Sequence, residues 1–149
     1  IEGALIGSAV GGAAGLIAHD IKARRERDRA QTIAAYPAYA PAQGEMLQME
    51  RSEILPATVR PGENAEASVQ YALLGTGPGV QVSEQRTLMR GDRLVAEVST
   101  HSFTRDDGTW VSTQPFRVPT NLQPGPYTIV TSVRTAQSSI SSQATFNVL

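Results

Sequence analysis

One stretch decides the fold class of this chain: Ala65-Glu66-Ala67-Ser68-Val69-Gln70-Tyr71-Ala72-Leu73. Apolar side chains stand at every second position from Ala65 to Leu73, and the polar Glu66, Ser68 and Gln70 alternate with them. Because successive side chains of a β-strand point to opposite faces, this alternation predicts a strand with one buried and one exposed face. Only 5% of the 149 residues are aromatic, and the many Ser, Thr, Gln and Val residues after residue 60 suit a small β-domain.

The same period of two continues to the C-terminus. Residues 126–134 and 139–149 alternate in this way, and turn signals such as Asp106-Asp107-Gly108 and Pro124-Gly125-Pro126 separate the runs. The predicted strands lie at 46–58, 65–74, 80–89, 94–104, 109–118, 126–134 and 139–149. This pattern predicts a mainly β fold, a seven-stranded antiparallel sandwich over residues 45–149 that folds alone.

The segment Leu122-Gln123-Pro124-Gly125-Pro126-Tyr127-Thr128-Ile129 resembles the entry to the sixth strand of an immunoglobulin-like or fibronectin type III-like domain. The resemblance implies that Tyr127 forms a fold-critical corner, with its hydroxyl bonded back to upstream backbone. The chain has no cysteine, so the antibody-type disulfide is absent. The fold hosts many unrelated functions and does not by itself imply one.

The N-terminal residues form a second pattern, with a glycine at every fourth position: Gly3, Gly7, Gly11 and Gly15. On a helix these positions stack on one face, where the lack of side chains lets another helix pack closely. The pattern predicts a helix over residues 1–30 whose first half packs in a membrane or in the core of an assembly. This segment is similar to the glycine-zipper segments of bacterial envelope proteins.

The second half of the predicted helix is highly charged. Its basic residues are predicted to contact lipid headgroups, or else to lie on a solvated helix face: Lys22, Arg24, Arg25, Arg27 and Arg29. Pro37 and Pro41 disfavour a helix around them, so the helix is expected to end before Tyr36. Residues 31–44 are then predicted to be an extended Ala/Pro linker.

Sequence motifs for chemistry are missing. No metalloprotease, nucleophile-elbow, phosphate-loop or dinucleotide motif occurs. His19 reads as a polar residue at the end of the apolar run, and His101 has no motif around it. The net charge of −1 does not favour nucleic acid as a partner. We therefore expect no catalytic residues, no metal site, no cofactor and no enzymatic activity.

Two interpretations follow for function. In the first, the chain is a structural subunit of an assembly in the bacterial cell envelope, with a periplasmic or extracellular sandwich. Its helix would pack against copies of itself, other membrane proteins and lipid. In the alternative, the helix only anchors a binding or adhesion module that recognises a protein or a glycan. Arg90-Gly91-Asp92 spells an adhesion tripeptide, although it also suits a tight hairpin turn.

Overall fold

A computed structural model describes residues 16–149, in which two β-sheets face each other across a shared core. The four glycines Gly3, Gly7, Gly11 and Gly15 lie outside the described residues, and so does the first half of the predicted helix. The chain is mainly β, and the prediction of a β-sandwich is confirmed at this level.

The described residues form ten strands, one α-helix and one short 3-10 helix. In chain order these are β1 Ile17–Ala18, β2 Lys22–Arg27, α1 Arg29–Ala35, the 3-10 helix Pro41–Gln43, β3 Met46–Leu55, β4 Thr58–Val59, β5 Asn64–Leu74, β6 Val80–Arg90, β7 Arg93–Arg105, β8 Gly108–Arg117, β9 Gly125–Arg134 and β10 Ser139–Val148. The last six strands match predicted ones to within one residue at each end. The first predicted strand is divided into β3 and β4, and β1 and β2 are additional, so the predicted count of seven is wrong.

The first sheet has β5 at its centre, with β3 on one side and β8 on the other. Both β1 and β2 pair with the far edge of β8. The second sheet has the order β4-β10-β9-β6-β7. All pairs are antiparallel except β4 with β10. The chain first passes from the first sheet to the second between β3 and β4, and it returns to the first sheet for β5 and again for β8.

The prediction of a helix over residues 1–30 is wrong for residues 16–28, the part before α1 that the structure describes. Lys22–Arg27 is strand β2, and it runs antiparallel to Thr109–Thr113 of β8. Without β2, this side of β8 would expose unpaired backbone donors and acceptors, and pairing there outweighs a modest local helix preference. The only α-helix of the described residues begins after Asp28, in a capping box with Gln31. It occupies part of the predicted linker, and it ends at Ala35, before Tyr36 as expected.

The core has two apolar clusters with polar side chains between them. Phe116, Phe146 and Ile129 belong to the larger cluster, and Leu73 and Val133 belong to the smaller one. Along β6 the buried side chains run from an apolar residue of the smaller cluster, through two charged residues, to an apolar residue of the larger cluster: Val82, Glu84, Arg86 and Leu88. We call the buried polar side chains at this level the polar layer: Glu84, Arg86, Ser99, His101, Arg105, Ser112 and Gln114.

Tyr127 lies at the corner where β9 begins. Its hydroxyl donates to the carbonyl oxygen of Gln123 at 2.8 Å and accepts from Nη1 of Arg90 at 2.7 Å. Nη2 of Arg90 also donates to the carbonyl oxygen of Pro124 at 3.0 Å, and its guanidinium lies 4.8 Å from the centre of the Tyr127 ring. Gly125 has φ +131°, and a Cβ there would lie 2.6 Å from Nη2 of Arg90. The arginine of the adhesion tripeptide is therefore committed to contacts within this domain.

The predicted fold-critical role of Tyr127 can be tested by mutation. Tyr127→Phe removes a hydroxyl that both donates and accepts, so we expect a loss of ~1 kcal/mol or somewhat more in the free energy of unfolding. Urea unfolding of the variant and the parent measures the difference. Tyr39→Phe is the matched control, because its hydroxyl bonds to Gly44 at a solvent-exposed site. If Tyr127→Phe unfolds like the parent, the corner does not stabilise the fold.

Candidate functional site: the docked N-terminal segment

The segment of residues 16–36, which we call the strap, lies along β8 and over the outer face of the first sheet. Leu16 is buried in the larger apolar cluster with 3% of its surface exposed. The backbone N–H of His19 donates to the carbonyl oxygen of Pro115 at 2.9 Å, and Gln114 of the polar layer donates to the carbonyl oxygen of His19 at 2.6 Å. The strap is therefore part of the sandwich, whose described residues begin well before the predicted boundary at residue 45.

The structure places each predicted headgroup residue beside an acidic side chain. The ion pairs are Lys22–Glu66 at 3.3 Å, Arg24–Glu26, Arg25–Asp106, Arg27–Glu50 at 3.0 Å and Arg29–Asp107 at 3.0 Å. Four of the five acidic partners belong to the sandwich beyond the strap. The side chains of Lys22, Arg24 and Arg29 remain more than 60% exposed, so contact with headgroups stays a prediction.

Glu50 is the centre of the strongest contact between strap and sheet. Its carboxylate accepts from Nη1 of Arg27 at 3.0 Å, from Nε2 of Gln70 at 2.8 Å and from the hydroxyl of Tyr36. Burial acts to raise the pKa of Glu50, but these hydrogen bonds and the charge of Arg27 outweigh it and hold the pKa below its usual value. The ionised carboxylate thus joins Arg27 and Tyr36 of the strap to β3 and β5.

Helix α1 docks through one fully buried polar contact. The hydroxyls of Thr32 and Thr109 lie 2.9 Å apart, and the Thr32 hydroxyl also lies 2.8 Å from the carbonyl oxygen of Asp28. Beside the helix, Asp107 accepts from Arg29 and from both the backbone and the hydroxyl of Thr76. These bonds outweigh the effect of burial and hold the pKa of Asp107 below its usual value.

Trp110 connects the strap with the polar layer. The guanidinium groups of Arg25, from the strap, and Arg105, from the polar layer, each lie 4.6 Å from the centre of a Trp110 ring. Contacts of this kind stabilise by about 0.5–2 kcal/mol each, depending on exposure. The indole N–H donates to the carbonyl oxygen of Asp106 at 3.0 Å. As the only tryptophan of the chain, Trp110 is also a probe of strap docking.

The described residues contain no group of three or more His, Cys, Asp or Glu side chains that could hold a metal ion. Within residues 16–149, no helix is long and apolar enough to cross a membrane. The polar layer is closed off from solvent, since the exposed fractions of Glu84 and Arg86 are 0%. The strap contacts the sandwich through strand pairing, ion pairs and hydrogen bonds.

The strap was not predicted from the sequence because β2 carries charged residues on both faces, so it shows no alternation of apolar and polar side chains. One local signal was present. Asp28 and Gln31 have the spacing of a capping box, which places a helix start at Arg29 rather than within a helix that already spans residues 1–30. The pairing of β2 with β8 joins residues more than 80 positions apart, and no local pattern encodes it.

No family model matches this sequence, and no curated protein matches it. Among solved structures, the alkylpurine DNA glycosylase AlkC of Pseudomonas fluorescens, bound to DNA containing an abasic site analog, is 16% identical. Its TM-score is 0.44, and the match covers 81% of this chain and 35% of that one. A β-glucosidase of Listeria innocua is 13% identical with TM-score 0.45, over 70% of this chain and 16% of that one.

A CARDB domain of Pyrococcus furiosus, in complex with di-metal ions, is 22% identical with TM-score 0.43, over 72% of this chain and 90% of that one. This chain thus spans about a third or less of the two enzymes and most of the CARDB domain. With TM-scores below 0.5, none of these likenesses carries an argument about function.

The docked strap predicts a difference between two fragments. Residues 45–149 retain the seven long strands and should unfold cooperatively, but they lose Leu16 and expose the edge of β8. We expect a melting temperature at least about 5 °C below that of residues 16–149, together with self-association through the open edge. Calorimetry and size-exclusion chromatography measure both effects. Equal melting temperatures and two monomers would show that the strap adds nothing to the fold.

The depressed pKa values of Glu50 and Asp107 predict a loss of strap docking in acid. A carboxyl group whose pKa is lower in the folded state stabilises that state above its unfolded pKa, about 4.3 for Glu. This contribution disappears as the pH falls through the folded pKa. Between pH 6 and pH 3 we therefore expect Trp110 fluorescence to report release of the strap before global unfolding.

Glu50→Gln tests the cause of this acid response. The amide does not titrate, so the variant should hold the strap less tightly at pH 7 and show a smaller change between pH 6 and pH 3. Glu53→Gln is the matched control, because Glu53 is an exposed residue of the same strand. An acid transition identical in all three proteins would assign it to other groups.

Proposed function

We propose that the chain is a non-catalytic structural subunit of a cell-envelope or membrane-associated assembly. In this proposal the glycine-spaced segment of residues 3–15 packs against copies of itself or other membrane proteins, and the sandwich is held at a defined orientation beside it. The observation that carries the proposal is the docking of the strap. Residue 16 is buried in the core of the sandwich, one position after Gly15.

A strap docked on the sandwich favours a structural subunit over a binding module on a flexible anchor. A module that searches for ligand at the end of an anchor gains reach from a flexible linker. Here the residues that follow the glycine pattern are fixed by strand pairing from Ile17 to Arg27 and by the ion pairs of the strap. Movement of the packed segment would therefore be transmitted directly to the sandwich.

The order of the strands supports an immunoglobulin-like arrangement as the finer description of the fold. In such domains one sheet has four strands in the spatial order A-B-E-D, so the fourth strand pairs with the edge of the third that faces away from the second. In this chain β3, β5 and β8 would take the first three places. The strap strand β2 would take the fourth, although it comes from the N-terminal end of the chain. In this arrangement the strap supplies one strand of the sandwich.

The alternative is an anchored binding module, and one surface feature favours it. A cleft of about 410 Å³ lies beside the β6–β7 hairpin and is lined by Arg93, Leu94, Asn121 and Leu122, among others. Leu94 is 52% exposed there. An apolar side chain next to a basic one would suit a protein or glycan ligand. If residues 16–149 are monomeric and bind such a ligand while the full chain does not assemble, this alternative is correct.

The test of the structural proposal uses the glycine register. Gly7→Leu and Gly11→Leu place large side chains on the predicted packing face and should convert the assembly of the full chain into smaller species. The sandwich should still give the parent thermal transition. Ala9→Leu is the matched control, because on a helix it lies off the glycine face. Native mass analysis of the detergent-extracted chains gives the particle sizes, and an assembly unchanged by either leucine contradicts the proposal.

A further inference from the structure

The polar layer holds more positive than negative charge. Its ionised groups are the carboxylate of Glu84 and the guanidinium groups of Arg86 and Arg105, all nearly or fully buried. Burial raises the pKa of Glu84, but the two arginines and the hydrogen bonds from Tyr71 and Ser112 hold it below its usual value. Burial lowers the pKa of His101, which favours the neutral imidazole at pH 7. One arginine charge is left without a carboxylate in the layer.

Arg105 is stabilised by a hydrogen bond, an ion pair and aromatic rings. Its Nη2 donates to the hydroxyl of Ser112 at 3.1 Å and lies 3.8 Å from Oε2 of Glu84. Its guanidinium lies 4.3 Å from the ring centre of Phe103 and 4.6 Å from that of Trp110. Nε and Nη1 of Arg105 make no hydrogen bond, but the aromatic rings beside its guanidinium stabilise the cation.

Among the described residues, Arg86 has a single hydrogen-bond acceptor and no aromatic ring beside its guanidinium. Its Nη2 donates to Oε1 of Glu84 at 3.1 Å, but Nε and Nη1 are buried without a hydrogen-bond partner. Among residues 16–149, no aromatic ring lies in cation–π contact with it. Ser99, its cross-strand neighbour on β7, has a buried hydroxyl that is also unpartnered. Buried donors of this kind are costly and are normally satisfied.

We propose that Arg86 and Ser99 bind a small monovalent anion of the chloride type, enclosed when the two sheets close. Such an ion compensates the excess charge and accepts hydrogen bonds from the guanidinium and from the hydroxyl. The class of anion follows from the site. One uncompensated charge calls for a single negative charge, and a layer closed off from solvent between apolar clusters excludes organic anions and phosphate.

The first experiment compares salts on the full chain. The protein is unfolded and refolded in sodium gluconate and then transferred to sodium chloride of equal ionic strength. A ligand that binds only the folded state raises the melting temperature with its concentration, and we expect on the order of 5 °C between 1 and 100 mM chloride. Gluconate controls for general ionic strength. Equal melting temperatures in the two salts overturn the proposal.

Variants and halide replacement locate the site. Ser99→Ala removes one proposed ligand and should reduce the chloride response at least twofold, whereas Ser102→Ala, an exposed serine on the same strand, should leave it unchanged. Crystals grown in bromide should show an anomalous peak between Arg86 and Ser99. Ordered water at that position, or equal chloride responses in the two variants, contradicts an anion site. These outcomes do not depend on whether the chain assembles.

Discussion

The carboxylate of Glu84 is the contact on which the arrangement of the two sheets depends. It projects from β6 in the second sheet and accepts from the hydroxyls of Tyr71 at 2.6 Å and Ser112 at 2.7 Å, both in the first sheet. Arg86 bonds its other oxygen. A buried ion pair adds little net stability compared with an apolar pair, but removal of one partner is costly. The network therefore acts mainly as a constraint on how the sheets align, while the two apolar clusters supply the hydrophobic stabilisation.

The polar layer also connects the interior with the strap. Gln114 bonds both to His101 inside the layer and to the backbone of His19 in the strap. Trp110 contacts Arg105 from the layer and Arg25 from the strap. Gln114 and Trp110 of β8 thus contact both the polar layer and the strap. These two side chains hold the strap against the strand whose backbone it pairs with.

The sequence allowed six of the long strands to be predicted to within a residue, from the local alternation of apolar and polar side chains and from the turn signals between the strands. The strap could not be predicted in the same way. Strand β2 forms because the edge of β8 is open, and the residues that create this edge lie more than 80 positions away. The polar layer was missed for another reason. Glu84 and Arg86 occupy inward positions of an alternating strand, and only the fold shows that their charges face each other in the core.

The edges of the sheets bear on how copies of this chain could associate. An open, flat edge invites pairing with another chain. The strap covers β8, and the short strand β4 lies at one edge of the second sheet. The pairing of β7, at the other edge, shifts register twice against β6, and irregularities of this kind twist an edge strand. Strand β3 has a similar irregularity beside Arg51, near the charged Glu50 and Glu53. These features disfavour pairing between sandwiches, which supports the proposal that copies of the chain associate through the segment before residue 16.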